Sequence, residues 1–154
     1  MRNKLGKLRE RANVDAKYVY ENINVTNDIY SKWENNKRKV PLKYIIDICN
    51  LFEIKLDYLL NLSDNIEISK IKYSSDKKKI GNKLKEIRTD LSMSLREESK
   101  LTDISFNALS RYERGIRLIS TSALTKISIK TGYDVNWILS EKKTTKNKII
   151  QNNG

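Results

Sequence analysis

The sequence contains no histidine, and only one cysteine, one proline and five glycines among 154 residues. Without histidine it lacks the side chain best suited to proton transfer near neutral pH and the commonest metal ligand. Cys49 stands alone, so an internal disulfide is impossible and no Cys/His cluster has metal-ligand spacing. It falls at an apolar helical position and reads as a small core residue. With so few glycines there is no Gly-rich phosphate loop. The adjacent carboxylates Glu97 and Glu98 would point about 100° apart on a helix and do not converge on a substrate. Neither an enzyme, a cofactor nor a metal site is expected. No apolar run approaches the roughly 20 residues of a membrane span. Nothing at the N-terminus resembles a signal peptide. A cytoplasmic protein is the expectation.

Acidic residues are also scarce, 19 against 31 Lys and Arg, for a net charge of +12. Residues 1–62 hold twelve basic and eight acidic side chains, and residues 77–140 hold thirteen and seven. Residues 63–76 hold two and three, and residues 141–154 four and one. Such an excess suits a polyanionic partner. A chain simply rich in Lys, Ile and Asn would carry the same sign without one.

What is present is a repeat. Val25-Thr26-Asn27-Asp28-Ile29-Tyr30-Ser31-Lys32-Trp33-Glu34 returns 79 residues later as Ile104-Ser105-Phe106-Asn107-Ala108-Leu109-Ser110-Arg111-Tyr112-Glu113. Each copy runs apolar residue, hydroxyl cap, two variable residues, small or apolar residue, core residue, Ser, base, aromatic, Glu. A duplicated unit points to two similar modules rather than one large domain.

The flanking sequence extends the repeat. Leu5, Leu8 and Ala12 predict a first helix. Asp15 caps a second carrying Val19 and Ile23, and Thr26 caps a third with Tyr30 and Trp33 inward. Pro41 is placed in the first turn of a fourth helix that buries Ile45, Ile48, Cys49 and Phe52. Leu56–Leu60 is read as a short fifth helix. In the second module Ile80, Leu84, Ile87 and Leu91 form helix 1, and Ser94 and Ser105 cap helices 2 and 3. Leu109 and Tyr112 face inward. Leu124 and Ile127 lie in helix 4, Gly132 takes a left-handed C-cap, and Val135–Leu139 is helix 5. The expected organisation is a module at 1–62, a linker at 63–76 with a short extended piece at Ile66-Glu67-Ile68, a module at 77–140, and a basic tail of disordered composition at 141–154.

These pieces resemble the Cro/repressor-type helix-turn-helix family, also called the xenobiotic-response-element family of bacterial and phage regulators. The resemblance rests on Leu8-Arg9, Val25-Thr26, Trp33-Glu34-Asn35-Asn36 and Leu56-Asp57-Tyr58-Leu59-Leu60. In the second copy it rests on Ile87-Arg88, Ile104-Ser105, Tyr112-Glu113-Arg114-Gly115 and Val135-Asn136-Trp137-Ile138-Leu139. It implies an all-α protein of two tandem five-helix, lambda-repressor-like DNA-binding bundles. It also implies that Arg9–Glu34 and Arg88–Glu113 are buried bridges between helix 1 and the end of helix 3. The sequence departs from the family at Ala16 and Leu95, where Gln is frequent, and at Tyr20, where Ala is usual. Glu98 replaces a core Leu, and Glu53 stands where Gly132 stands in the second copy.

With the aromatic residues inward, Asn27, Asp28 and Lys32 share the outer face of helix 3, and Phe106, Asn107 and Arg111 are their counterparts. Asn matches adenine, Arg matches guanine, Phe suits a thymine methyl group, and Asp accepts from cytosine. Thr26, Ser94 and Ser105 are helix caps that could also meet phosphates. Lys37, Arg38, Lys39, Arg114 and Arg117 follow the recognition helices, where bases grip backbone without reading sequence. Lys17, Asn35 and Arg96 complete the candidate DNA-contact set. The bland reading is a solvated helix face. The expected function is a sequence-specific regulator of transcription, a repressor that binds double-stranded DNA. The alternative is a protein-interaction or dimerisation module, antitoxin-like or an antagonist of another regulator, acting as a homodimer or with another regulatory protein.

Overall fold

The computed structural model describes residues 3–142 and Ile149. Its helices are α1 (Lys4–Arg11), α2 (Ala16–Asn22), α3 (Asn27–Glu34), α4 (Leu42–Phe52), α5 (Lys77–Asp90), α6 (Leu95–Thr102), α7 (Phe106–Glu113), α8 (Thr121–Thr131) and α9 (Val135–Ile138). The protein is all-α. It divides into two compact units, residues 1–71 and 72–154. The tail expected at 141–154 lies outside the described residues except for 141, 142 and 149.

Short polar side chains start the helices. Asp15 accepts from the Tyr18 amide, Thr26 from Ile29, Ser105 from Ala108 and Ser120 from Ala123. Each satisfies an amide that the first turn cannot pair internally. The turns that end the helices repeat as well. Left-handed backbone occurs at Asn13, Asn24, Asn36 and Glu53, and again 79 residues on at Ser92, Asp103, Gly115 and Gly132. Asn and Asp tolerate that conformation and Gly adopts it freely, whereas Glu53 is strained in it. A Cβ on Gly115 would also come within 2.7 Å of the Lys78 side chain.

The core of the first unit gathers Leu5 and Leu8 from α1, Val19 from α2, Tyr30 and Trp33 from α3, and Ile45, Ile46, Ile48 and Cys49 from α4. The second gathers Ile80, Leu84 and Ile87 from α5, Leu109 and Tyr112 from α7, Leu124 and Ile127 from α8, and Trp137 and Ile138 from α9. Burial of each such side chain contributes about 1.5–3 kcal/mol.

Four expectations need adjusting. Pro41 is the N-cap of α4, with extended backbone, rather than a first-turn residue. Phe52 is half-buried, and Ile46 takes the fully buried place. Leu91 is the C-cap of α5 and is exposed. Leu56–Leu60 makes one helical turn, with the Leu60 amide donating to the Leu56 carbonyl, but forms no helix like α9. The difference has a local cause. Asp134 caps α9 by accepting from the Asn136 amide, and its counterpart is Lys55, which has no acceptor to offer.

Two lysines do a job that sequence reasoning passed over. Lys4 Nζ donates to the carbonyls of Tyr58 (3.1 Å) and Ser63 (2.8 Å) and lies over the Tyr58 ring. Its counterpart Lys83 is buried, donates to the Trp137 carbonyl (2.7 Å) and to both oxygens of Ser140, and lies over the Trp137 ring. Each ties the last turn of its unit to the first helix by adding a donor to carbonyls there, of which those of Tyr58 and Trp137 also accept from the Asn61 and Ser140 amides.

The segment between the repeats is held by backbone hydrogen bonds. Lys55 N–H donates to Glu67 (2.8 Å) and Ser69 N–H to Glu53 (2.8 Å), around an antiparallel bridge between Ile54 and Ile68. Tyr73 belongs to the second unit, where it bridges Ser140 and its buried hydroxyl donates to Asn136 Oδ1 at 2.6 Å.

Candidate nucleic-acid interface

Each unit contains two helices joined by a tight turn, α2 to α3 and α6 to α7. The turns pass through left-handed Asn24 and Asp103, with φ of 57° in both. The second helix of each pair is braced from behind. Arg9 donates to both carboxylate oxygens of Glu34, at 2.7 and 3.3 Å, and to the Val14 carbonyl. Arg88 repeats this with Glu113, at 2.8 and 3.0 Å, and with the Met93 carbonyl. The expected bridges are therefore present, largely screened from water and bidentate, a geometry that fixes orientation as well as charge. In the first unit the Tyr30 hydroxyl adds a third donor to Glu34, at 2.6 Å. Burial, then the Glu34 carboxylate, keeps that phenol protonated well above its usual range.

With Tyr30 and Trp33 buried, α3 leaves Asn27, Asp28, Ser31 and Asn35 exposed and Lys32 half-buried. Lys32 Nζ lies 3.1 Å from the Asp28 carboxylate, so the one base on this face is paired within the helix. On α7, Phe106, Asn107 and Arg111 are exposed, followed by Arg114. Among the described residues no carboxylate pairs with Arg111. The two outer faces thus differ in charge: one acid and one base on α3, bases alone on α7.

The remaining candidates lie around these helices. Thr26 and Ser105 use their oxygens as acceptors for the caps, which leaves each hydroxyl proton free to donate. Lys17 is exposed on α2 and lies 3.9 Å from Glu21. Lys37, Arg38 and Lys39 are exposed in the loop after α3, where the amides of Lys37 and Arg38 fold back onto the Lys32 carbonyl. Arg117 occupies the same turn after α7, its amide directed at the Arg111 carbonyl, and Arg114 Nε reaches the Ser110 carbonyl at 3.4 Å. Asn35 caps α3 and donates to Ser31 Oγ. Arg96 stands over the Phe106 ring, 5.4 Å from its centroid.

Ser94 closes a reciprocal box with Glu97: the Glu97 amide donates to Ser94 Oγ and the Ser94 amide to Glu97 Oε1, both at 3.1 Å. The backbone and side-chain hydrogen bonds of Ser94 hold the Glu97 carboxyl below its usual range. Sequence reasoning weighed Glu97 only as a candidate catalytic carboxylate and missed its capping role, although the run Ser94-Leu95-Arg96-Glu97 carries the spacing of a capping box.

Beneath α7 lies an anomaly. Glu98 is 2% exposed, and its Oε2 has no hydrogen-bond partner. Burial, then the Glu113 carboxylate, pushes its pKa up to about 7, opposed by Arg88. This is the inward position that Val19 fills in the first unit, as the repeat alignment expects.

Among the described residues no helix is long and apolar enough to cross a membrane, and no group of side chains could hold a metal ion. A family model described as helix-turn-helix matches the chain twice, over residues 5–59 and 84–138. No curated protein and no solved structure matches it.

Proposed function

The chain belongs to the Cro/repressor-type helix-turn-helix family and is a DNA-binding regulator, and on that premise we propose that α3 and α7 enter major grooves and read sequence. A major groove about 12 Å wide admits a helix, and exposed polar side chains on that helix then meet base edges. The observation that carries the reading is the outer face of α7: Asn107 and Arg111, exposed, four residues apart, on a helix braced by Arg88–Glu113. Asn107 and Arg111 are assigned to adenine and guanine, and Phe106 to a thymine methyl group. Asn27, Asp28 and Lys32 take the corresponding places on α3. Thr26, Ser94, Ser105, Lys17, Asn35, Arg96, Lys37, Arg38, Lys39, Arg114 and Arg117 hold phosphates and fix the register. Regulation is by repression, through occlusion of a promoter.

Selection of bound sequences from a random duplex pool tests the reading. Arg111→Ala lowers affinity for the selected site by about 1–3 kcal/mol and relaxes preference at one position. Equal losses on selected and random DNA would remove Arg111 from base reading. The tandem arrangement is tested by cutting between Ile71 and Lys72, which leaves the Glu53–Ser69 pairing and Tyr73 with their own units. The intact chain binds at least about a hundredfold tighter than either half, because the second contact is intramolecular. A half that binds as tightly as the whole assigns the other half to protein contacts. A reporter whose promoter overlaps the selected site separates repression from activation.

A further inference from the structure

Arg96 and Phe106 are joined in a way that the first unit does not repeat. The Arg96 guanidinium lies over the Phe106 ring, 5.4 Å from its centroid, and the ring is 41% exposed at the first position of α7. Their counterparts 79 residues earlier are Lys17 and Asn27, and Lys17 turns to Glu21 instead. A cation over a ring face is held by the ring quadrupole. A guanidinium held over a ring face through its own face keeps its in-plane N–H groups available to an anion. The ring offers no hydrogen bond, so what it can read is an apolar group. On the major-groove edges of the base pairs, that group is the 5-methyl of thymine.

We propose that Arg96 and Phe106 form a composite subsite in the second unit for a 5-methylpyrimidine nucleotide, thymine in ordinary DNA. The uncovered part of the Phe106 ring packs on the methyl group. Arg96 holds the ring in that orientation and donates to a neighbouring phosphate, which makes it a positioning residue for Phe106 as well as a backbone contact. The subsite rests on the reading that α7 enters the groove. It also gives the second unit a preference that the first, with Asn27 in this place, does not share.

The test uses the intact chain and its selected duplex. Each thymine in the half-site read by α7 is replaced singly by uracil, which removes only the methyl group. One position weakens wild-type binding about fourfold, the worth of burying one methyl-sized group. Phe106→Ala weakens binding of the thymine site to about the level of the uracil site and abolishes that sensitivity, and Phe106→Leu, which keeps apolar bulk, retains part of it. Arg96→Ala diminishes the uracil effect and lowers the slope of log affinity against log salt by about one. Arg96→Lys restores the slope but not the uracil effect, because an ammonium on a flexible stem lacks the guanidinium's planar face and holds the ring less rigidly. Indifference to uracil at every thymine overturns the subsite, as does undiminished sensitivity in Phe106→Ala or Arg96→Ala. A chain that binds no sequence better than random duplex defeats the DNA-reading proposal itself, and the subsite with it.

Discussion

Replacing Glu98 by leucine should make the second unit more stable, and the gain should depend on pH in a defined way. The carboxyl is 2% exposed with one oxygen unpartnered, and its pKa stands at about 7 against an ordinary 4.5. Below about pH 4.5 it is protonated in folded and unfolded chains alike, and titration contributes nothing. Between about 4.5 and 7 the folded chain keeps a proton that the unfolded chain has released, so wild-type stability falls as pH rises. Above 7 both states are ionised and the full cost is present. Moving the carboxyl from 4.5 to about 7 corresponds to about 3 kcal/mol, so a gain of about 2–3 kcal/mol is expected for Glu98→Leu near neutrality. Leucine is close in volume, and Val19 shows that an apolar side chain fits this position in the sister unit. The assay is denaturant unfolding from pH 4.5 to 8, followed by Trp137 fluorescence in a Trp33→Phe background so that the second unit alone is observed. The difference between variant and wild type should be smallest at pH 4.5, climb through pH 7 and then level off. A difference that is flat with pH, or a destabilised variant at pH 7–8, refutes the reasoning, because either result means the carboxylate has a partner when charged. Val19→Glu supplies the converse: a loss in the first unit that deepens as pH rises.

Glu53→Gly should stabilise the first unit by about 0.5–1 kcal/mol, since Glu53 holds φ of 52° at a C-cap where Gly132 sits unstrained in the second. A neutral or negative change in denaturant midpoint would mean its side chain matters more than its backbone. Asp28→Asn should release Lys32 and remove a negative charge from the α3 face, tightening binding to any duplex several-fold with a steeper salt dependence. Unchanged binding in a titration at two salt concentrations would take α3 out of the interface. Lys37→Ala should weaken specific and random duplexes about equally. A selective loss on the specific site would move it among the base readers.

Features that depend on neighbours within a turn were legible in the amino-acid order alone. The caps at Asp15, Thr26, Ser94 and Ser105 each bond an amide within three residues. The inward aromatics Tyr30, Trp33 and Tyr112 follow from helical spacing, and the left-handed Gly132 from its place after the last helical residue. The repeat then carried these readings from one copy to the other, including Glu98 against Val19. The Arg–Glu bridges span 25 residues and were legible only through the family resemblance. Contacts whose partners are distant in the chain emerged from the packing of the folded units. Lys83 meets carbonyls 54 and 57 residues away, and Tyr73 meets Asn136 across 63. Nothing in Lys83 between Asn82 and Leu84, or in Tyr73 between Lys72 and Ser74, marks it as buried, because burial there depends on where the last turn of the unit returns. The same holds for Arg96 over Phe106, two exposed side chains from different helices, and for residues 67–69, which pair with residues 53–55. Periodicity and capping act through hydrogen bonds a few residues long and leave a trace in composition and spacing. Long-range pairings are chosen by the packing of whole helices, and their partners become identifiable only once those helices are in place.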